Sequence, residues 1–157
     1  MVERARARVP DLQISTDMIV GFPGETEADF DDTMSLVERV RYHSMFAFKY
    51  SERPNTLAAK RFPDDVPEDT KSRRLNALLE RQKGIQTELH ARLIGTTVEV
   101  LVDSVSRRRE TELSGRTSGN TIVNFPGAPA LLGALVRVTV ERAGANSVWG
   151  RIEGSAA

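Results

Sequence analysis

Gly21, Pro23 and Gly24 follow directly on an apolar run, Met18-Ile19-Val20, and Thr26 follows them within a turn's length. Pro23-Gly24 suits a type II turn, with proline fixing φ at the first central position and glycine taking φ > 0 at the second. Thr26 is placed to cap a helix, and Glu25 and Glu27 lie near the positive end of its dipole. Strand, glycine-bearing turn and helix N-terminus is where an α/β protein seats a ligand, at the carboxyl end of the strand. Gly21, lacking a Cβ, would let a flat ligand approach the backbone there. An ordinary βα turn needs the same glycines for geometry alone, so the motif by itself leaves both readings open.

The second set of chemically capable residues is basic. From Arg92 onward the chain has eight arginines, no lysine and six acids. Arginine contacts phosphate bidentately and stacks on bases; the same bias also arises from a surface preference for arginine. Arg107, Arg108 and Arg109 share a loop, and Arg116 lies just before a hairpin that begins at Ser118. Alternation from Leu113 places Leu113, Gly115 and Thr117 on an inner face and turns Arg116 outward. A solvated hairpin tip, with Glu110 and Glu112 as partners, is the plainer reading. His43 and His90 have no second metal-type ligand nearby in sequence and read as structural or surface residues.

These residues need elements to hold them. Gln13 to Val20 reads as a strand and Thr26 to Tyr42 as an amphipathic helix, with Phe30, Met34 and Val37 on its core stripe. Ser44 to Tyr50 alternates as a second strand, so strand, helix and strand make a βαβ unit with a parallel pair. Leu57 to Val66, with Pro63 and two aspartates, reads as loop. A long helix runs from Pro67 to Leu93 on a stripe of Leu75, Leu78, Leu79, Gln82, Ile85, Leu89 and Leu93, with Gly95 closing it. Gly84 in mid-helix suggests close packing there. Beyond Gly95 the period changes to two, and five short strands (97–102, 112–117, 121–125, 134–141 and 147–153) imply a small antiparallel barrel of the OB-like kind.

Two stretches resemble a known family. Thr16 to Phe30, TDMIVGFPGETEADF, is similar to the fifth-strand segment of the radical S-adenosylmethionine methylthiotransferases. The superfamily pattern there is Gly-x-Ile-x-Gly-x-x-Glu. Asp17 stands at its first glycine, Ile19 and Gly21 match, and Gly24 takes the acidic position with Glu25 one later. The resemblance implies that Asp17, Ile19, Gly21 and Phe22 border the adenine of S-adenosylmethionine, chiefly through the backbone. Tyr50-Ser51-Glu52-Arg53-Pro54-Asn55-Thr56 resembles the end of the family's sixth strand and adds Tyr50 and Ser51 to the implied pocket. Further on, Leu113-Ser114-Gly115-Arg116-Thr117, Asn120 and Ile122-Val123-Asn124-Phe125 look like a TRAM domain, an RNA-binding barrel. That likeness implies RNA contacts from Arg116, Asn120 and Phe125 together with Arg107, Arg108 and Arg109. The Gly-Arg-Thr…Asn…Val-x-Phe form is most similar to the MiaB family of tRNA methylthiotransferases.

The resemblance implies α/β plus all-β architecture: residues 1–66 as terminal βα elements of a radical S-adenosylmethionine partial barrel, 67–94 as a linking helix and 95–154 as a TRAM barrel. It implies a full enzyme that converts isopentenyladenosine beside the tRNA anticodon to its 2-methylthio form, with S-adenosylmethionine and two [4Fe–4S] clusters. The chain has no cysteine, so it holds neither cluster and excludes disulfides and thiolate zinc. The expectation is therefore a C-terminal fragment that binds no cofactor alone. Its expected partners are tRNA and the upstream part of the same polypeptide. The alternatives are a ribosomal-protein or threonylcarbamoyladenosine methylthiotransferase fragment, or a non-catalytic RNA-binding module. No apolar run is long enough for a membrane helix, so no membrane partner and a cytoplasmic location are expected. Basic and acidic residues balance at 22 each, which argues for local rather than global attraction of nucleic acid.

Overall fold

The structure is a computed structural model that describes residues 1–106 and 111–153. The chain divides into two compact units, Met1–Ile85 and Gln86–Ala157.

The first unit contains α1 (Val2–Arg6), β1 (Ser15–Val20), α2 (Glu27–Val40), β2 (Ser44–Lys49), α3 (Leu57–Arg61) and most of α4 (Glu68–Ala91). β1 and β2 pair in parallel, from Ser15 opposite Ser44 to Val20 opposite Lys49, as the βαβ reading requires. Pro23-Gly24 makes its turn with Gly24 at φ +82° and the Glu25 amide donating to the Phe22 carbonyl at 2.9 Å. Thr26 caps α2 in a reciprocal box with Asp29: the Asp29 amide donates to the Thr26 hydroxyl, and the Thr26 amide to the Asp29 carboxylate. Phe30, Val37 and Val40 of α2 are buried, as are Val20, Leu78 and Ile85. Gln82 donates to the Tyr42 carbonyl at 2.8 Å, tying α4 to the end of α2. The stretch expected as a continuous loop holds the short helix α3 instead. Thr56 accepts from the Ala59 amide and caps it, and Leu57-Ala58-Ala59-Lys60-Arg61 are good helix formers placed before Pro63 can interrupt.

One face of the two-stranded sheet is bare. Asp17 and Ile19 of β1 lie opposite Phe46 and Phe48 of β2, and all four are exposed. Ile19 is 57% accessible, Phe46 64% and Phe48 55%.

The second unit takes the last turns of α4 and then β3 (Thr97–Val105), β4 (Glu112–Arg116), β5 (Ile122–Pro126), a 3-10 turn (Pro129–Leu131), β6 (Leu135–Ala143) and β7 (Val148–Ile152). The five strands close a barrel in the order β3-β4-β5-β7-β6, with β6 returning to pair with β3. The expectation of an all-antiparallel barrel needs correction: β5 and β7 pair in parallel, Val123 with Val148 and Asn124 with Trp149. A closed ring with an odd number of strands cannot alternate direction all the way round, so one parallel pair is obligatory. Val100, Val102, Leu113, Val123, Phe125, Val138, Val140 and Val148 form one buried core, each at most 1% exposed. β-Branched side chains on alternate positions suit this small interior. His90, at the end of α4, is buried and its Nδ1 lies 2.7 Å from the Gly144 carbonyl oxygen.

Candidate functional site

The carboxyl ends of β1 and β2 carry the first candidate site. The Gly21 amide donates to the Glu25 carboxylate at 2.6 Å. Arg74 of α4, 2% exposed, donates to the same carboxylate oxygen at 2.7 Å and to Glu27 at 2.8 Å. Arg73 also reaches Glu27, at 2.6 Å. Burial by itself would lower the Arg74 pKa; hydrogen bonds to Glu27 and Glu25 outweigh it and hold the value above normal. The hydrogen bond from Arg73, then that from Arg74, holds the Glu27 carboxyl below its usual range. The side chain of Glu25 thus anchors the turn rather than facing a ligand. In the following loop, Asp64 receives both hydrogen bonds of the buried Lys71 ammonium, at 2.5 and 2.6 Å, and Asp65 accepts from the Gly24 amide at 2.8 Å.

Gly21 does not offer the open backbone face that the sequence suggested. It sits at φ +70°, and a Cβ there would overlap Cγ of Lys71. The glycine makes room for this chain's own lysine. Beside it, Phe22 meets Tyr50 edge to face at 5.1 Å, and the Lys71 ammonium lies 5.4 Å from the Tyr50 ring centre. The Tyr50 hydroxyl is buried and has no hydrogen-bond partner among the described residues. Phe22 keeps an exposed edge, and Ser51 is exposed immediately after β2. Of the six residues expected around adenine, Gly21, Phe22 and Tyr50 are brought together. Asp17 and Ile19 stand apart from them on the bare sheet face.

The second candidate site is the outer surface of the barrel. Arg116 points outward, as alternation requires; its Nη1 donates to the Asn120 side-chain oxygen at 2.8 Å, and its Nε lies 3.4 Å from the Asp103 carboxylate. Asn120, at φ +67° in the β4–β5 hairpin, spends its amide oxygen on positioning Arg116. Phe125 is a correction: it is fully buried in the barrel core and offers no ring to RNA. It shares the inner parity of Val123, so alternation along β5 was the signal that placed it. Arg107, Arg108 and Arg109 lie outside the described residues.

A groove of about 670 Å3 opens on this surface, and several of its residues were missed by sequence reasoning. Ser114, Asn124, Arg142 and Trp149 line it together with Arg116. The Arg142 guanidinium lies 5.1 Å from the Trp149 ring centre. The signal available for Trp149 was its place between the inward Val148 and Gly150, which turns the only tryptophan of the chain outward.

Comparison with known proteins supplies the lineage. The TRAM domain matches residues 91–152. The tRNA-2-methylthio-N(6)-dimethylallyladenosine synthase of Bordetella pertussis is 49% identical over 154 residues, covering 98% of this chain and 34% of the relative. The synthases of the same name from Carboxydothermus hydrogenoformans and Chlorobium limicola are 48% and 45% identical over 89% and 96% of the chain. The chain spans about a third of the length of these relatives. Nearly half identical to these synthases along almost its whole length, the chain is similar to about a third of each of them and carries a TRAM domain.

Proposed function

We propose that the chain is the C-terminal third of a radical S-adenosylmethionine enzyme that installs a 2-methylthio group on isopentenyladenosine beside the tRNA anticodon. Its barrel grips the tRNA and its βαβ unit completes the cofactor domain begun upstream. The observation that carries this reading is identity at 49% over 98% of the chain to a synthase named for that product. The setting is the cytoplasm. Among the described residues, no helix is long and apolar enough to cross a membrane.

In this reading residues 1–66 complete a partial barrel, 67–94 form the linking helix and 95–154 the RNA-binding barrel. The bare face of Ile19, Phe46 and Phe48 supports the first assignment, because two strands with one apolar side uncovered do not close a core. S-Adenosylmethionine, bound in the whole enzyme, supplies the radical and the methyl group. The exposed Phe22 ring and the buried Tyr50 hydroxyl, without a hydrogen-bond partner among the described residues, fit a ligand with polar and aromatic parts; Ser51 follows Tyr50 directly, while Asp17 and Ile19 lie apart on the bare sheet face. Gly21 does not fit, being covered by Lys71. On the barrel, Arg116 held by Asn120 is the proposed phosphate contact.

The test is a chimera in which this chain replaces the matching third of the Bordetella pertussis synthase. Expressed in cells lacking their own synthase, it is expected to restore the methylthio nucleoside, read by mass spectrometry of digested tRNA. A chimera that folds and holds both clusters yet leaves tRNA unmodified would overturn the proposal.

A further inference from the structure

Strand register sets five outward residues in one row around the barrel. Ser104 pairs with Ser114, Ser114 with Asn124, Asn124 with Trp149, and Trp149 with Arg142. The row therefore crosses β3, β4, β5, β7 and β6 in turn, every strand of the barrel, and all five residues line the groove. At the usual spacing between strands it runs for about 19 Å along the curved sheet.

Both ends of the row exist because of β-bulges. In β3, Val100 and Val102 point inward, and strict alternation would send Ser104 inward too. The register shifts between Val102 and Ser104; Asp103 is the extra residue, and Ser104 turns out. In β6, Val138 and Val140 point inward, and alternation would bury Arg142. A second shift between Val140 and Arg142, with Glu141 extra, turns Arg142 out beside Trp149. Bulges re-aim side chains and cluster at functional edges. Two of them, on different strands, deliver residues to the same row.

The chemistry of the row is specific. Arg116, Arg137 and Arg151 each lie against a carboxylate, whereas Arg142 forms no ion pair among the described residues and stacks on Trp149 instead. An indole with a guanidinium against it is a stacking platform for a nucleobase. Ser114 and Asn124 carry hydroxyl and amide groups suited to base edges. Asp103 and Glu112 also line the groove and would repel a phosphate beside them, whereas Arg116 and Arg142 line it too and would attract one. Bases inside an A-form duplex cannot reach such a platform; those of a single strand can.

We propose that this row is a subsite for a single-stranded stretch of RNA, with one base stacked on the Trp149–Arg142 pair and its neighbour read by Asn124 and Ser114. The proposal rests on the RNA-binding reading of the barrel and deepens it. Trp149 is the chain's only tryptophan, so its emission reports the site directly. The full chain is titrated with a short mixed-sequence oligoribonucleotide, with the same strand annealed to its complement, and with tRNA, reading both tryptophan emission and the anisotropy of labelled RNA. The single strand is expected to bind and to quench emission to saturation, and the duplex to leave it unchanged. Trp149→Ala is expected to weaken single-strand binding roughly tenfold or more. Ser114→Glu and Ser114→Arg should move affinity in opposite directions, whereas a folding defect would move both the same way. Single-strand binding with unmoved emission, or equal quenching by the duplex, overturns the subsite. If tRNA still binds by anisotropy in that case, the RNA-binding reading survives; if neither RNA binds, both fall.

Discussion

The barrel and the βαβ unit use their sheets in opposite ways. The barrel closes on itself, so every strand has two neighbours and its apolar faces meet in one core with eight side chains at most 1% exposed. The βαβ unit has two strands, each with a free edge, and one apolar face in the open. Four of the six phenylalanines of the chain, Phe22, Phe46, Phe48 and Phe62, are exposed large hydrophobics of this unit, while Phe125 of the barrel is wholly buried. The unit's interior adds two buried cations to its apolar residues: Lys71 on Asp64, and Arg74 on Glu25 and Glu27. The closed sheet covers its own apolar side, whereas the two-stranded sheet leaves one uncovered.

This contrast can be broken by mutation. The largest effect belongs to the barrel, where closure leaves no slack. A Cβ at Gly150 would overlap the Thr139 carbonyl across β6 and β7. Gly150→Ala is expected to cost about 3 kcal/mol in thermal or denaturant unfolding followed by Trp149 emission; a loss well under 1 kcal/mol would mean the barrel is looser than its register implies. Next comes Gly21→Ala, which meets both an unfavourable φ and Lys71, for about 2 kcal/mol. Adding Lys71→Ala should return part of that loss beyond additivity, and strict additivity would show that the two do not compete for space.

Two exposed carboxyls of the first unit extend the contrast to pH. Hydrogen bonds from Arg73 and Arg74 lower the Glu27 pKa, and those from Thr26 lower that of Asp29. A carboxyl with a folded pKa below its unfolded one stabilises fully above the unfolded value and loses that contribution as pH falls through the folded one. The first unit is therefore expected to weaken from about pH 4.5 downward. Tyr42 and Tyr50, the only tyrosines, both lie in it, so near-ultraviolet circular dichroism reads the transition apart from Trp149. Glu27→Gln should flatten the acid slope, and an unchanged slope would assign acid sensitivity elsewhere. The smallest effect is Gly84→Ala. Its nearest neighbour is the Arg81 guanidinium, 3.0 Å from an added Cβ and held by Glu38, so close packing does limit this site and the gain is expected to stay below about 1 kcal/mol.

Where period and chemistry agreed, the sequence was readable. Alternation placed Leu113 inside and Arg116 outside, Thr26 announced the start of α2, and Pro23-Gly24 announced its turn. What stayed hidden depended on pairing rather than on local pattern. The parallel β5–β7 contact follows from ring closure, which no single strand encodes. The bulges at Asp103 and Glu141 break the period of two, so reading straight on would have buried Ser104 and Arg142. The cover over Gly21 comes from Lys71, fifty residues away, and a glycine reserved for a neighbour's side chain looks the same in sequence as one reserved for a ligand. Phe125 shows the converse: a residue expected as an RNA contact from the TRAM likeness, although its own alternation places it in the core.

The central claim is that RNA is held by the barrel surface while the βαβ unit awaits the rest of its own domain. Hydrogen exchange of the full chain, followed by mass spectrometry with and without tRNA, tests it most directly. Slowed exchange confined to the barrel strands, within 97–105, 112–126 and 135–152, with β1 and β2 unchanged, is the predicted result. Slowed exchange in 15–20 and 44–49 with the barrel unaffected would contradict it.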